Sequence, residues 1–262
     1  MPAARTRPAA AAYEKLLARA RTANRFPTAP PSWWVEMVEF ESEAYASSCA
    51  ATLLSLAASL PALHEARGPQ AWPWLLAGSA KLAEVVRDAL SLFGFEDAAE
   101  ELPTWAESQG LTAAGPVEAD PWQAYELLLA ACNPRERRGR GVYFTPQLIA
   151  RALAEAVDSS VREEFGYSRG LAADDPFVQV LDPAAGAGSL LAAAIEQARE
   201  SFLAGDESRA NVARWARFAV ESLVPRIAGL EISPAAWAVA HVQLAVTLAR
   251  GGCRPREPLR FR

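Results

Sequence analysis

The stretch Phe177-Val178-Gln179-Val180-Leu181-Asp182-Pro183-Ala184-Ala185-Gly186-Ala187-Gly188 constrains the fold more than any other. Its apolar run, bounded by Asp174-Asp175-Pro176 and by Asp182-Pro183, suits a strand over 177–181 that is buried on both faces. It enters a glycine turn and then a long helix, 189 to about 203. A further helix over roughly 209–224, a second strand over 227–231 and a helix begun by Ser233-Pro234 and running through Leu248 follow. Strand, helix, strand, helix in that order predicts an α/β fold with a parallel sheet. Residues 258–262 read as the opening of a third strand, so the sheet is expected to be incomplete within these 262 residues.

The segment before this is expected to be a helical domain, 1–118, set off from a second domain, 119–262, by Glu118-Ala119-Asp120-Pro121. Helices are expected over 13–20, over the apolar stretch 33–60 and over 77–93, with breaks at Pro27, Pro30-Pro31, Pro69 and Pro73. Residues 122–132 form a short helix closed by Asn133-Pro134. After a run of arginines at 135, 137, 138 and 140 comes Gly141-Val142-Tyr143-Phe144-Thr145-Pro146. There Thr145 is placed to cap a helix over 147–165 with Pro146 at its first position.

Half the residues are hydrophobic and 22% are charged, the balance of a chain that can bury a core. Cys49, Cys132 and Cys253 show no paired spacing, which argues against a disulfide framework or a zinc site and points to a reducing, cytoplasmic setting. The best apolar stretch, 49–63, reads as too short to cross a bilayer. Residues 1–118 carry 9 basic against 14 acidic side chains, and the remainder is balanced at 17 each, so the front part does not read as a surface for gripping phosphates. The tryptophans at 33, 34, 72 and 74 read as packing residues rather than base-stacking platforms. His64 and His241 lack ligand-spaced partners, and no metal site is expected.

The glycine turn lies at the carboxyl end of the first strand, where open parallel sheets place ligands. Gly186 and Gly188 let a ligand approach the backbone, and Glu231, ending the second strand, can accept hydrogen bonds from ribose hydroxyls. A nicotinamide cofactor would use similar geometry, but the turn reads G-x-G-S-L-L and the acid follows Gly188 by 43 residues rather than about 20, so dinucleotide binding fits less well.

Three segments in order carry a resemblance: 142–146, 180–191 and 229–240. With Val-Tyr-Phe-Thr-Pro ahead of the glycine motif, they resemble the cofactor motifs of adenine-N6 DNA methyltransferases of restriction-modification and phage-defence systems. Residues 138–248 look closest to single-polypeptide restriction-modification enzymes, which fuse a methyltransferase to other modules. The resemblance implies a helical domain followed by the first half of a Rossmann-like, S-adenosylmethionine-dependent methyltransferase sheet. It implies that Tyr143, Phe144, Thr145 and Pro146 contact the methionine end of S-adenosylmethionine, and that Asp182, Pro183, Ala184, Gly186 and Gly188 line the turn beneath it. Glu231 would bind the ribose and Ile232 would pack on the adenine ring.

Members of that family carry an Asp/Asn-Pro-Pro-Tyr/Phe motif that holds a flipped adenine. The one Pro-Pro here, Pro30-Pro31, precedes Ser32-Trp33 and lies upstream of the cofactor motifs, so no catalytic residue is assigned. The chain is therefore expected to be inactive alone, and to methylate DNA only with a second polypeptide or a C-terminal half that carries this motif and the target recognition. Two other readings stand beside it: a non-catalytic interaction module of a defence complex, and an NAD-binding protein.

Overall fold

The computed structural model of the protein describes residues 3–23, 25, 31, 42–108, 120–132 and 145–255. The first part is helical: α1 (Ala3–Ala23), α2 (Ser42–Arg67), α3 (Ala71–Gly78), α4 (Ala80–Leu92) and α5 (Leu102–Ser108). α6 (Pro121–Cys132) and α7 (Gln147–Glu163) lead to β1 (Val180–Asp182), α8 (Ser189–Leu203), α9 (Arg209–Phe218), β2 (Ile227–Gly229) and α10 (Pro234–Arg250). The expected boundary at 118–119, the tryptophans 33 and 34, the arginines 135–140 and the third strand over 258–262 lie outside the described residues.

The alternating order produces the expected parallel pair. β1 lies beside β2 with Val180 opposite Ile227, Leu181 opposite Ala228 and Asp182 opposite Gly229. Two hydrogen bonds carry the pairing beyond the ladder, from Leu230 N to Asp182 O and from Ala185 N to Leu230 O, each 2.9 Å. Because side chains alternate along a strand, Val180, Ile227 and Gly229 face one way and Leu181, Ala228 and Leu230 the other. The first face is covered by α8 and by Leu244 and Leu248 of α10, in a core that includes Trp215 and Phe218 of α9.

The opposite face overturns the expectation of a strand buried on both sides: Leu181 is 61% exposed, and Leu230 is exposed beside it. No helix among the described residues covers this side. The strand is also shorter than expected, since Phe177 sits in a turn and is 86% exposed. The reason lies in Arg226, whose guanidinium donates to the carbonyls of Ala173, Asp175 and Val178 and so holds 173–178 in a looped path.

The larger core joins the two parts of the chain. Leu53, Leu54, Leu56 and Ala57 of α2 are fully buried with Ala238, Val242, Ala245 and Val246 of α10. Small residues along α10 bring the two helices close. Helix α2 is longer than the apolar run suggests: it continues through Pro61, and its segment Ala44–Arg67 is long and apolar enough, by length and composition, to span a membrane. That corrects the expectation that the stretch is too short. Yet 72% of its most apolar window is buried inside the protein, which is the environment of a core helix. Trp72 is likewise core, 2% exposed and donating to Ala99 O at 2.9 Å. Pro73, expected to break the chain, is the third residue of α3, where a missing backbone donor costs nothing.

Candidate cofactor site at the strand ends

The site is built from the two turns that follow β1 and β2. After Asp182 the chain reverses: Asp182 Oδ1 accepts from Ala184 N at 3.0 Å, closing a local turn rather than capping α8. Gly186 and Gly188 take φ of +55° and +82°, the left-handed region that glycine enters without strain. Gly188 is itself the residue from which α8 starts, and a Cβ there would lie 3.2 Å from the Ala240 Cβ. Across the sheet, a Cβ on Gly229 would lie 2.9 Å from both the Ala185 Cβ and Leu191 Cδ1, so the close approach of the two turns requires glycine at 229 also. Gly229 is a site residue not expected from the motifs, although its position just before Leu230-Glu231 is a signal for it.

Glu231 ties the turns together. Its Oε2 accepts from Gly186 N at 2.8 Å and its Oε1 from Ser233 N at 2.7 Å. β2 ends two residues earlier, at Gly229, so this carboxylate stands in the turn rather than on the strand. Each carboxylate oxygen keeps a second lone pair for a ligand hydroxyl. Ser233 caps α10, accepting from Ala236 N, with Pro234 as the first helical residue, as the sequence predicts. From beneath, Tyr125 and Leu129 of α6 pack with Ala187, Ala235, Ala236 and Val239, so α6 supports both turns.

The structure brings Asp182, Gly186, Gly188 and Glu231 together. Pro183 and Ala184 lie exposed on the outside of the turn, and Ile232 is exposed directly after Glu231. Thr145 and Pro146 stand at the head of α7, near the start of α8, because Ala150 and Ala154 of α7 pack on Ala193 of α8. Thr145 does not cap α7: Pro146, at ψ 141°, is the capping residue and makes no side-chain cap bond. Tyr143 and Phe144 lie outside the described residues.

One atom is left over. Asp182 Oδ2 is buried and has no hydrogen-bond partner among the described residues. A buried acceptor without a donor costs about 1–3 kcal/mol, so a ligand that brings a donor to this oxygen would relieve it. Together with two positive-φ glycines and the Glu231 carboxylate, this oxygen makes a set of acceptors that fits a polar ligand carrying N–H or O–H groups.

The remaining candidates stay outside this chemistry. His241 is buried on α10 against Trp237, with Nδ1 3.0 Å from Trp237 O, and burial pushes its pKa below the usual histidine value. The buried Cys49 thiol is pushed up to about 12 by desolvation, the opposite of an activated nucleophile. Among the described residues no cluster of His, Cys, Asp and Glu could hold a metal ion.

Comparison with protein-family models matches the N-6 DNA methylase family over residues 122–247. That segment contains nearly all of α6 and α10 and both turns. Two solved structures share the fold. One is a nuclease-deletion mutant of the Type ISP restriction-modification enzyme LlaGI in complex with a DNA substrate mimic, 16% identical with a TM-score of 0.56 over 94% of this chain. The other is a DrdV–DNA complex, 20% identical with a TM-score of 0.52 over 98% of this chain. The chain spans only 19% and 24% of the lengths of those two proteins. No curated protein matches the chain. The resemblance to adenine-N6 methyltransferases of restriction-modification type, drawn from the three motifs, is borne out by these matches.

Proposed function

We propose that this chain, an N-6 DNA methylase in family over residues 122–247, is the S-adenosylmethionine-binding portion of a restriction-modification or phage-defence methyltransferase acting on adenine in DNA. The observation that carries the reading is Glu231 bridging the Gly186 and Ser233 amides next to the unpartnered Asp182 Oδ2. Asp182 would accept from the ammonium end of the cofactor, Gly186 and Gly188 would let it approach the backbone, and Glu231 would accept from its ribose hydroxyls. Ile232 would pack against the adenine, while Tyr143, Phe144, Thr145 and Pro146 would contact the methionine end. The bound cofactor supplies an electrophilic methyl group; the residues named here bind and orient it and keep water from its charged end.

Transfer to an adenine amine would use an Asp/Asn-Pro-Pro-Tyr/Phe element, which the sequence of residues 1–262 lacks. We propose that a Pro-Pro-Tyr/Phe element, the neighbouring strands and the target recognition come from polypeptide outside these residues, as a second chain or a longer one, and that DNA is bound by the completed enzyme in the cytoplasm. The exposed Leu181 and Leu230 on one sheet face support this, because parallel sheets are ordinarily covered on both faces. The helical part, 1–118, would buttress the cofactor part, 119–262, through the core that α2 shares with α10.

Calorimetric titration tests the reading. S-adenosylmethionine is expected to bind the chain, and NAD is not; Asp182→Ala and Glu231→Ala are each expected to weaken binding at least tenfold. Silence with S-adenosylmethionine, or binding of NAD in its place, would overturn it. Unaided methylation of DNA by the purified chain would overturn the division of labour alone.

A further inference from the structure

A second cavity, of about 560 Å³, opens at the other end of the strands. Asp174 and Pro176 reach it just before β1, and Pro225 and Arg226 just before β2, whereas the glycine turn and Glu231 follow the strands. Its volume lies within the usual range of small-molecule sites. It is separated from the candidate cofactor site by the sheet itself.

Its lining is unlike an ordinary solvated surface. Arg169, Arg214 and Arg217 line it; among the described residues no ion pair or side-chain hydrogen bond holds their guanidiniums, and Asp206 lies within electrostatic reach of Arg214. Arg214 and Arg217 stand three positions apart on α9 and so share a face. Arg226 makes a fixed wall, its guanidinium spent on the carbonyls of Ala173, Asp175, Val178 and Ser222. Opposing charge is present at Asp174 and Glu221, but Asp174 already accepts from Ser222 Oγ at 2.6 Å. Four guanidiniums against two carboxylates leave the cavity cationic.

The apolar wall is aromatic. Phe202 is half-buried with its ring centre 5.0 Å from that of Phe218, and the Arg169 guanidinium sits 4.7 Å over the Phe202 ring. Glu221 and Ser222 reach the cavity from a π-helical turn, Ala219–Leu223, that continues α9. Such turns are uncommon and recur at functional sites, since the widened turn re-aims side chains at some cost in hydrogen-bond geometry.

We propose that this cavity binds a nucleoside phosphate, with Arg169, Arg214 and Arg217 receiving the phosphate and Phe202 the base. Guanidinium forks match phosphate oxygens, and an aromatic ring beside a guanidinium offers a planar base both a stacking surface and a cation. The unit has two possible sources, a free nucleotide or a nucleotide within a single strand. The inference is independent of the role proposed for the glycine turn.

Fluorescence anisotropy and calorimetry on the full chain decide it, with ADP, ATP, a short single-stranded oligonucleotide and inorganic phosphate as probes. ADP or ATP, or the oligonucleotide, is expected to bind at least tenfold more tightly than inorganic phosphate. Arg214→Ala combined with Arg217→Ala, both exposed and so tolerable to the fold, should weaken that binding at least tenfold, and Phe202→Leu should weaken it several-fold. Saturating S-adenosylmethionine and the Glu231→Ala substitution should leave it unchanged. Binding by the oligonucleotide but not by free nucleotides assigns the strand as the source, and the converse assigns the free nucleotide. Absence of binding by every nucleotide probe overturns the proposal. So does binding that survives the double arginine variant, that S-adenosylmethionine displaces, or that inorganic phosphate equals.

Discussion

Glu231 Oε2 accepts the amide hydrogen of Gly186 at 2.8 Å, so a carboxylate that follows β2 holds the turn that follows β1. The other oxygen, Oε1, holds Ser233 N. Both acceptors face N–H groups, and an amide side chain would therefore place an NH₂ against one of them. Glu231→Gln is expected to destabilise the protein at least as much as Glu231→Ala, by about 1.5–3 kcal/mol, the range for hydrogen bonds to charged groups. Urea unfolding of the three proteins checks the order; a glutamine variant as stable as the parent would show that the bridge contributes little.

Gly188 and Gly229 make a matched pair of substitutions with different causes. Gly188→Ala forces a side chain into φ +82° and brings its Cβ to 3.2 Å from the Ala240 Cβ. Left-handed backbone alone costs about 1–2 kcal/mol for a residue with a Cβ. Gly229→Ala has no such strain but meets Ala185 and Leu191 at 2.9 Å, so the turns must separate. Both variants should lower the melting temperature. The second should also lengthen the Glu231–Gly186 contact, to be read as faster amide exchange at Gly186.

Much of this site is legible in the sequence because its geometry is local. Asp182, the glycines and Ser233-Pro234 each dictate their own turn within a few residues, and the structure places those turns where the order of elements implies. What escapes is the choice of distant partners. Phe177 and Val178 have the composition of a strand, yet Arg226, 48 residues after Val178, claims the Val178 carbonyl. Nothing local to Asp158 in α7 marks it as buried, yet it is 2% exposed. Pro61 reads as a stop, yet α2 runs on through it, with Leu60, Ala62 and Leu63 all buried.

Asp158 is the anchor of α7. It accepts from Leu171 N at 2.7 Å and from Ser201 Oγ at 3.1 Å and pairs with Arg162, while Gly170, at φ +56°, leaves room for its carboxylate. Asp158→Ala strands these donors. A loss of about 3 kcal/mol is expected, as for removal of one partner from a buried ionic network. The opening should be confined to α7 and the Gly170 turn, so hydrogen exchange should rise there before it rises in α2 and α10; uniform exposure would show that α7 is not an independent unit.

His241 sets an acid limb in the stability. Burial lowers its pKa, against the weaker opposing effect of the Trp237 carbonyl. The folded protein therefore prefers the neutral ring. The associated stability is complete above about pH 6.5, the unfolded value, and is lost as pH falls from there toward the depressed folded value, by at most about 1.4 kcal/mol per unit. Glu196 acts in the opposite sense: burial raises its pKa, so it favours the fold in acid and loses that contribution as pH rises through its folded value. The slope of unfolding free energy between pH 6.5 and 5 should flatten in His241→Gln. An unchanged slope would assign the acid limb to other groups.

The exposed apolar stripe of α7 yields the last expectation. Ile149, Leu153 and Val157 recur every fourth position and are all about half exposed, so they lie on one face of the helix. The buried positions Ala150 and Ala154 face α8 instead. Replacing Ile149, Leu153 and Val157 by Gln together removes little buried area, and stability should change by less than about 1 kcal/mol. These three side chains nevertheless offer a contiguous apolar surface to an apolar probe. Fluorescence of anilinonaphthalene sulfonate with the folded chain should fall in the triple variant while the unfolding midpoint stays fixed. A large loss of stability would mean that this face is covered in solution.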